Sequence, residues 1–222
     1  MKNGILSGNA LKIIAMISML LDHIAVVLLD GYVPFRIIGR LAYPLYAYFI
    51  AEGCFHTKNK LFYLLRVFSL GAVCQLAYYI VDKSLYLNIL LTFSVSIPMV
   101  YLLKLAKKNA FFTVIFLAAT IGLWSLLQKL SAYDVTFDYG ILGIMFPVLL
   151  SLGENRHEKV ILAFCGLCAL SYTMGGIQIW SLASLPLILL YSGRRGKLNL
   201  KYTFYLFYPL HLAALYGLSY II

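Results

Sequence analysis

The chain has 222 residues, 63% of them hydrophobic and 12% charged, with a mean hydropathy of +0.89. Soluble domains are about 45 to 50% apolar, so this composition excludes the ordinary soluble classes and points to an integral membrane protein. A formal net charge of +10 would suggest nucleic acid as a partner in a soluble protein, but here the cations fall between apolar runs. Topology explains them, and no nucleic-acid binding is expected.

A membrane-crossing helix takes about 20 apolar residues, which leaves room for roughly eight to ten helices in one domain over residues 1–222. The apolar runs are 11–29, 37–53, 61–81, 86–103, 110–130, 139–152, 160–174, 177–192 and 203–221. They predict an all-α, polytopic helix bundle of about nine spans. The first run is too long for a signal-peptide core and no small-residue cleavage site follows it, so it is expected to stay attached as the first span.

That first run, LKIIAMISMLLDHIAVVLL, carries Asp22 and His23 side by side in its outer half. Insertion scales put an Asp at membrane depth at roughly 2.5 to 3.5 kcal/mol against the bilayer. The pair must therefore face protein or water, and it is the first candidate for chemistry. A buried His beside a carboxylate has the residue type that a general base at neutral pH requires. Neighbours in sequence point about 100° apart around a helix, so Asp22 has two roles open to it. It can orient a histidine, His23 or His211, or it can neutralise Arg40.

Arg36 and Arg40 lie one turn apart at the start of the second run, where an arginine needs an anion, and Asp22 is nearest in depth. The same run ends in Glu52 and His56, with Lys58, Lys60 and Arg66 just beyond. With Arg194, Arg195 and Lys197 these cations form a basic mouth suited to phosphate, because Arg and Lys supply charge-assisted donors. Lys2, Lys104, Lys107, Lys108, Arg156, Lys159 and Lys201 fall on that same side when nine spans are counted. The opposite loops hold Asp30, Asp82, Asp134 and Asp138, so the N-terminus is expected in the cytoplasm.

Farther along, Gln75, Asn88 and Thr92 read as interhelical hydrogen-bond partners, with Asn88 also a candidate for substrate contact. Asp138, in DYGILG, is placed to cap the next helix. Cys54, Cys74, Cys165 and Cys168 read as buried packing residues, because the CxxC pair has no partner ligands; no metal site is expected. In the last run Tyr205, Tyr208 and His211 share a helix face at mid-depth.

Five ordered segments carry a resemblance: LKIIAMISMLLDHIA, GRLAYPLYAYFIAEGCFHT followed by Arg66, NILLTF, DYGILG, and LPLILLYSGRRGKLNLKYTFYLFYPLHLAALY. Over nearly its whole length the chain resembles the TraX-like membrane proteins, named for the factor required for N-terminal acetylation of F-type conjugative pilin. That family is similar in character to multi-helix membrane acyltransferases with an intramembrane His. The resemblance implies acyl transfer from cytoplasmic acetyl-CoA, as co-substrate and not a permanent cofactor, to a hydroxyl or amine of a lipid, glycan, peptide or pilin-type acceptor.

It further implies catalytic roles for His23, Asp22 and Arg40. The acyl-CoA would be held by His56, Glu52, Arg66, Lys58, Arg194 and Arg195, and the acceptor by His211, Tyr208 and Asn88. Ser192 stands where the family pattern leads one to expect Asn. The setting implied is a bacterial cytoplasmic membrane, with room for a homo-oligomer. Two rival readings use the same residues: a proton-coupled transporter with Asp22, His23, Arg40 and His211 as a relay, and a non-enzymatic assembly factor of a surface or conjugation machine.

Overall fold

A computed structural model describes residues 4–197 and 200–221, apart from the side chains of Asp82, Lys201, Tyr202 and Phe204. The topological expectations on Lys2, Asp82 and Lys201 lie outside the described residues. Among the described residues the chain is helical with one two-residue strand pair, and it divides into two compact units, Met1–Tyr48 with Gly153–Ile222, and Phe49–Leu152.

In the first unit α1 (Gly8–Leu28) starts where the Ser7 hydroxyl accepts from Ala10 N at 3.2 Å. Its first two amides are met from the far end of the sequence: Gly8 N donates to Arg194 O at 2.8 Å and Asn9 N to Arg195 O at 2.9 Å. These bonds satisfy donors that every helix start leaves open. The helix ends before Asp30 and Gly31, both at positive φ, and the chain doubles back into α2 (Val33–Gly39) with Pro34 in its first turn.

The expected single helix over 37–53 is split. The chain forms α2 and then α3 (Ala42–His56), because Pro44 has no N–H to donate to the carbonyl of residue 40 and its ring crowds that carbonyl. Arg40 therefore sits at the C-cap of α2 instead of inside a continuous span. Gly39 is needed where α2 crosses α1: a Cβ there would collide with the Asp22 side chain.

The unit is completed by α8 (Arg156–Met174), a 3-10 helix (Gly176–Ala183), α9 (Ser184–Leu189) and α10 (Lys201–Ser219). The start of α8 is capped from both sides: Asn155 Oδ1 accepts from Glu158 N at 3.0 Å, and Glu158 Oε2 accepts from Glu154 N, one residue before the cap, at 2.7 Å. The expected helix over 177–192 is instead the 3-10 helix running into α9, with Gly175 and Gly176 both at positive φ before it. Helix α1 packs against α2 and α10, and the 3-10 helix against α8 and α2.

The second unit holds the rest of α3, α4 (Lys60–Asp82), α5 (Ile89–Ala106), α6 (Ala110–Ser131) and α7 (Gly140–Leu150). Between them β1 (Tyr86–Leu87) pairs in parallel with β2 (Thr136–Phe137), Tyr86 opposite Thr136. Its core is α5 against α7, with Phe93, Ile97, Val100, Ile144 and Leu150 all 2% exposed or less. Ser96 Oγ bridges the two by donating to Ile144 O at 2.8 Å.

Among the described residues four helices are long and apolar enough to cross a membrane, in Gly8–Leu28, Lys60–Val81, Ile89–Ala106 and Ala110–Ser131. Helix α6 buries none of its residues and turns Phe111, Val114, Leu117, Ile121 and Trp124 outward. Apolar side chains on the outside suit hydrocarbon as solvent. By length and composition this is a membrane protein.

Two finer expectations are corrected. Asp138 does not cap α7: the N-cap position is Tyr139, which makes no side-chain capping bond, and the Asp138 carboxylate accepts from Tyr86 Oη at 2.7 Å. Of the cysteines, Cys54 and Cys74 are buried, but Cys165 is exposed and Cys168 intermediate. An apolar residue on a lipid-exposed helix has no need to turn inward.

Candidate functional site

The adjacent residues Asp22 and His23 of α1 serve different neighbours, as the 100° between adjacent helix positions requires. Asp22 faces α2. Arg36 Nη1 donates to its Oδ2 at 3.0 Å and Arg40 Nη2 to its Oδ1 at 2.7 Å, so both carboxylate oxygens are taken by guanidiniums. Of the two roles open to Asp22, the structure gives it the neutralising one and extends it to a second arginine.

Arg40 is the hub of this cluster. Its Nε donates to Arg36 O at 3.2 Å and its Nη1 to Gln178 Oε1 at 3.3 Å. The side chain is only 10% exposed and that of Asp22 18%. Two guanidiniums share this one carboxylate, and both lie within electrostatic range of His23. Gln178 was invisible in the sequence, because a lone amide in an apolar run looks like a packing residue and its partner lies 138 positions away.

His23 faces α10. Its Nδ1 lies 2.9 Å from His211 Nε2, with the ring centroids 5.0 Å apart. The other nitrogen of His211, Nδ1, lies 2.7 Å from Phe207 O. A carbonyl only accepts, so His211 Nδ1 carries a proton, and in the neutral ring Nε2 is then the acceptor. His23 Nδ1–H then donates to it, the His23 ring also bonding the Met19 carbonyl one turn back, and the lone pair of neutral His23 is on Nε2. The Phe207 ring stacks on His211 with centroids 4.6 Å apart, and Tyr208 meets it edge-on at 5.6 Å. Packing and hydrogen bonding thus fix both the plane and the tautomer of His211.

Tyr205 is half-buried on the same helix. Asp22, His23, Arg40, His211 and Tyr208 are accordingly brought together in the first unit. Asn88 lies in the second unit, where its side chain holds α4 to α5: Nδ2 donates to Gly71 O at 2.9 Å and to Gln75 Oε1 at 3.0 Å, and Oδ1 accepts from Leu90 N at 3.0 Å. This is the interhelical network expected of Gln75 and Asn88.

The residues of the expected basic mouth belong to both units. In the second, Glu52 and His56 pair one turn apart at 3.5 Å, with the His56 side chain 80% exposed. Lys58 and Arg66 are exposed nearby in sequence. Lys104, read from sequence as a loop cation, reaches back to the end of α3, donating to Cys54 O at 2.8 Å above the Phe55 ring. In the first unit the Arg194 and Arg195 side chains are exposed while their carbonyls hold the start of α1. Among the described residues no group of three or more His, Cys, Asp or Glu side chains could hold a metal ion.

Comparison with known proteins places these residues in a wider setting. The family model described as TraX protein matches residues 7–219. A probable fimbrial assembly protein, FimC of serogroup H1 from Dichelobacter nodosus, is 32% identical over 238 aligned residues that cover 94% of each chain. An uncharacterized protein of Rickettsia prowazekii (strain Madrid E), RP591, is 30% identical over 159 residues, covering 71% of this chain and 59% of that protein. No solved structure matches.

Proposed function

Because the chain belongs to the TraX family, we propose that it is a membrane-embedded acyltransferase that moves an acetyl group from cytoplasmic acetyl-CoA to a hydroxyl or amine of a surface acceptor, with pilin or fimbrial subunits first among the acceptor classes. The D. nodosus relative, by its name a probable fimbrial assembly protein, supports that choice of acceptor. In this reading the chain crosses the bacterial cytoplasmic membrane about nine times, with its N-terminus in the cytoplasm.

The observation that carries the reading is the directed pair His211 to His23. It leaves a lone pair on His23 Nε2, the arrangement of a base oriented by a second group. His23 Nε2 takes the proton of the acceptor O–H or N–H as the acceptor's electron pair attacks the thioester carbonyl carbon. The C–S bond then breaks, and the proton passes from the imidazolium to the departing CoA thiolate. The transient imidazolium is shared with His211 across the 2.9 Å contact.

Asp22 and Arg36 position Arg40. Of the exposed cations expected to hold the nucleotide phosphates, Arg194 and Arg195 lie in the same unit as His23. From Asn9, whose amide meets Arg195 O, to His23 is 14 residues of α1, about 21 Å at 1.5 Å per residue. An extended arm like the pantetheine of CoA is what such a separation requires.

The test gives the purified full chain labelled acetyl-CoA with lipid, glycan and peptide acceptors. Acetyl-CoA is expected to bind and the label to transfer; His23→Ala abolishes transfer and Arg194→Ala/Arg195→Ala weakens binding. A chain that does not bind acetyl-CoA at saturating concentrations sinks the enzyme reading. The name of the D. nodosus relative also favours a second reading, a non-enzymatic assembly factor, under which His23→Ala leaves pilus or fimbria assembly intact.

A further inference from the structure

The 3-10 helix Gly176–Ala183 turns its polar residues inward and its apolar ones out. Gln178 is 3% exposed and Ser181 and Ser184 are fully buried, whereas Ile179 and Trp180 are 55% and 51% exposed. A 3-10 helix has three residues per turn, so positions three apart eclipse one another and Gln178 and Ser181 share one ridge. Two groups on that ridge have no hydrogen-bond partner among the described residues, Gln178 Nε2 and Ser181 Oγ.

The orientation of the Gln178 amide is settled by chemistry. Arg40 Nη1 faces one atom of it at 3.3 Å, and a guanidinium only donates, so that atom is the oxygen. Both N–H bonds of Nε2 are therefore turned elsewhere, into a buried place that offers them no acceptor. Leaving buried donors unmet is costly, and native structures rarely do so without a functional reason.

The ridge also lies beside the reacting centre. Arg40, which holds Gln178, holds Asp22 through its other terminal nitrogen, and both arginines are within electrostatic range of the His23 ring. Two N–H donors and a hydroxyl, oriented beforehand by a fixed cation, match an oxygen on which negative charge develops.

We propose that the Gln178 amide and the Ser181 hydroxyl bind the carbonyl oxygen of the transferred acyl group, with Arg40 and Asp22 as positioning residues that hold the amide in register. This rests on the acyl-transfer reading and deepens it. When the acceptor attacks, the C=O π pair moves onto that oxygen, which the two donors stabilise. The pair returns as the C–S bond breaks and the thiolate leaves.

Gln178→Glu keeps an oxygen for Arg40 and removes both N–H donors; Ser181→Ala removes the hydroxyl. Ser184→Ala is the control, since the Ser184 hydroxyl is already bonded to Ser181 O at 2.7 Å. Labelled acetyl-CoA binding, transfer rate and thermal unfolding are measured for the full chain and each variant. Turnover is expected to fall on the order of 10²-fold in Gln178→Glu and about tenfold in Ser181→Ala, with acetyl-CoA affinity kept and Ser184→Ala at the wild-type rate.

Ser181→Ala is expected to melt at or above the wild-type temperature, because it deletes an unmet polar group. Should Gln178→Glu fail to fold, Ser181→Ala decides. Wild-type turnover in the folded variants overturns the assignment while leaving acyl transfer standing. A wild-type chain that neither binds nor consumes acetyl-CoA overturns both, and the two failures are told apart by the wild-type measurement alone.

Discussion

His23 and His211 act as a pair, since the Phe207 carbonyl places the proton of His211 and His211 in turn accepts from His23 Nδ1–H. Replacing His211 by Leu removes the side-chain acceptor of His23 Nδ1–H and leaves the ring its bond to the Met19 carbonyl, whereas Gln at 211 can still present an oxygen to it. Transfer is expected to drop 10²- to 10⁴-fold in His211→Leu, with His211→Gln retaining more of it, measured as initial rate at saturating acetyl-CoA. Equal rates in the two variants would show that tautomer control is not what His211 contributes.

Asp22 has a different task, and its loss reads in stability. Asp22→Asn leaves two guanidiniums facing a neutral amide, at a cost of about 3 kcal/mol, the low end for a broken buried pair because Arg36 is 29% exposed. Thermal unfolding in detergent checks it. The double variant Asp22→Asn/Arg36→Gln is expected to melt higher than Asp22→Asn alone, since it removes one of the uncompensated charges.

Between elements, the α1 and α2 crossing is the joint on which the cluster depends. Gly39 permits it: an added Cβ would meet the Asp22 side chain. Gly39→Ala is expected to cost about 1 to 3 kcal/mol through overpacking and to loosen the Arg40 contact, seen as a lower melting temperature together with slower transfer. The break at Pro44 belongs to the same joint, because it ends α2 at Arg40 and leaves that side chain at a helix terminus, where it reaches both Asp22 and Gln178. Asn88 works the same way in the second unit as N-cap and cross-link of α5. Asn88→Ala is expected to cost about 1 to 2 kcal/mol by loss of the cap, again measured by unfolding.

For the whole molecule the prediction concerns charge. Arg194→Ala/Arg195→Ala is expected to raise the acetyl-CoA dissociation constant about tenfold, the effect of one lost charge-assisted contact. The effect should shrink as ionic strength rises and exposed charges are screened. Isothermal titration at low and high salt distinguishes this from misfolding, which weakens binding equally at both.

Sequence alone determined that the chain lives in a membrane and is helical, because only apolar runs of spanning length are compatible with hydrocarbon. It also singled out Asp22, His23, Arg40 and His211, because polar groups at membrane depth are too costly to stand there without partners. The basic character of residues 194–197 was equally written in residue type, whereas 37–53 read as one apolar run and the structure breaks it before Pro44. Which partner each polar group takes depended on the tertiary structure, since it is set by helix rotation and crossing: α1 turns Asp22 to the arginines of α2 and His23 to the histidine of α10. Gln178 and Ser181 came only from the folded chain. An amide and a hydroxyl are cheap enough to pass unnoticed in an apolar run, and only packing shows that they are buried with nothing of the protein's own to bind.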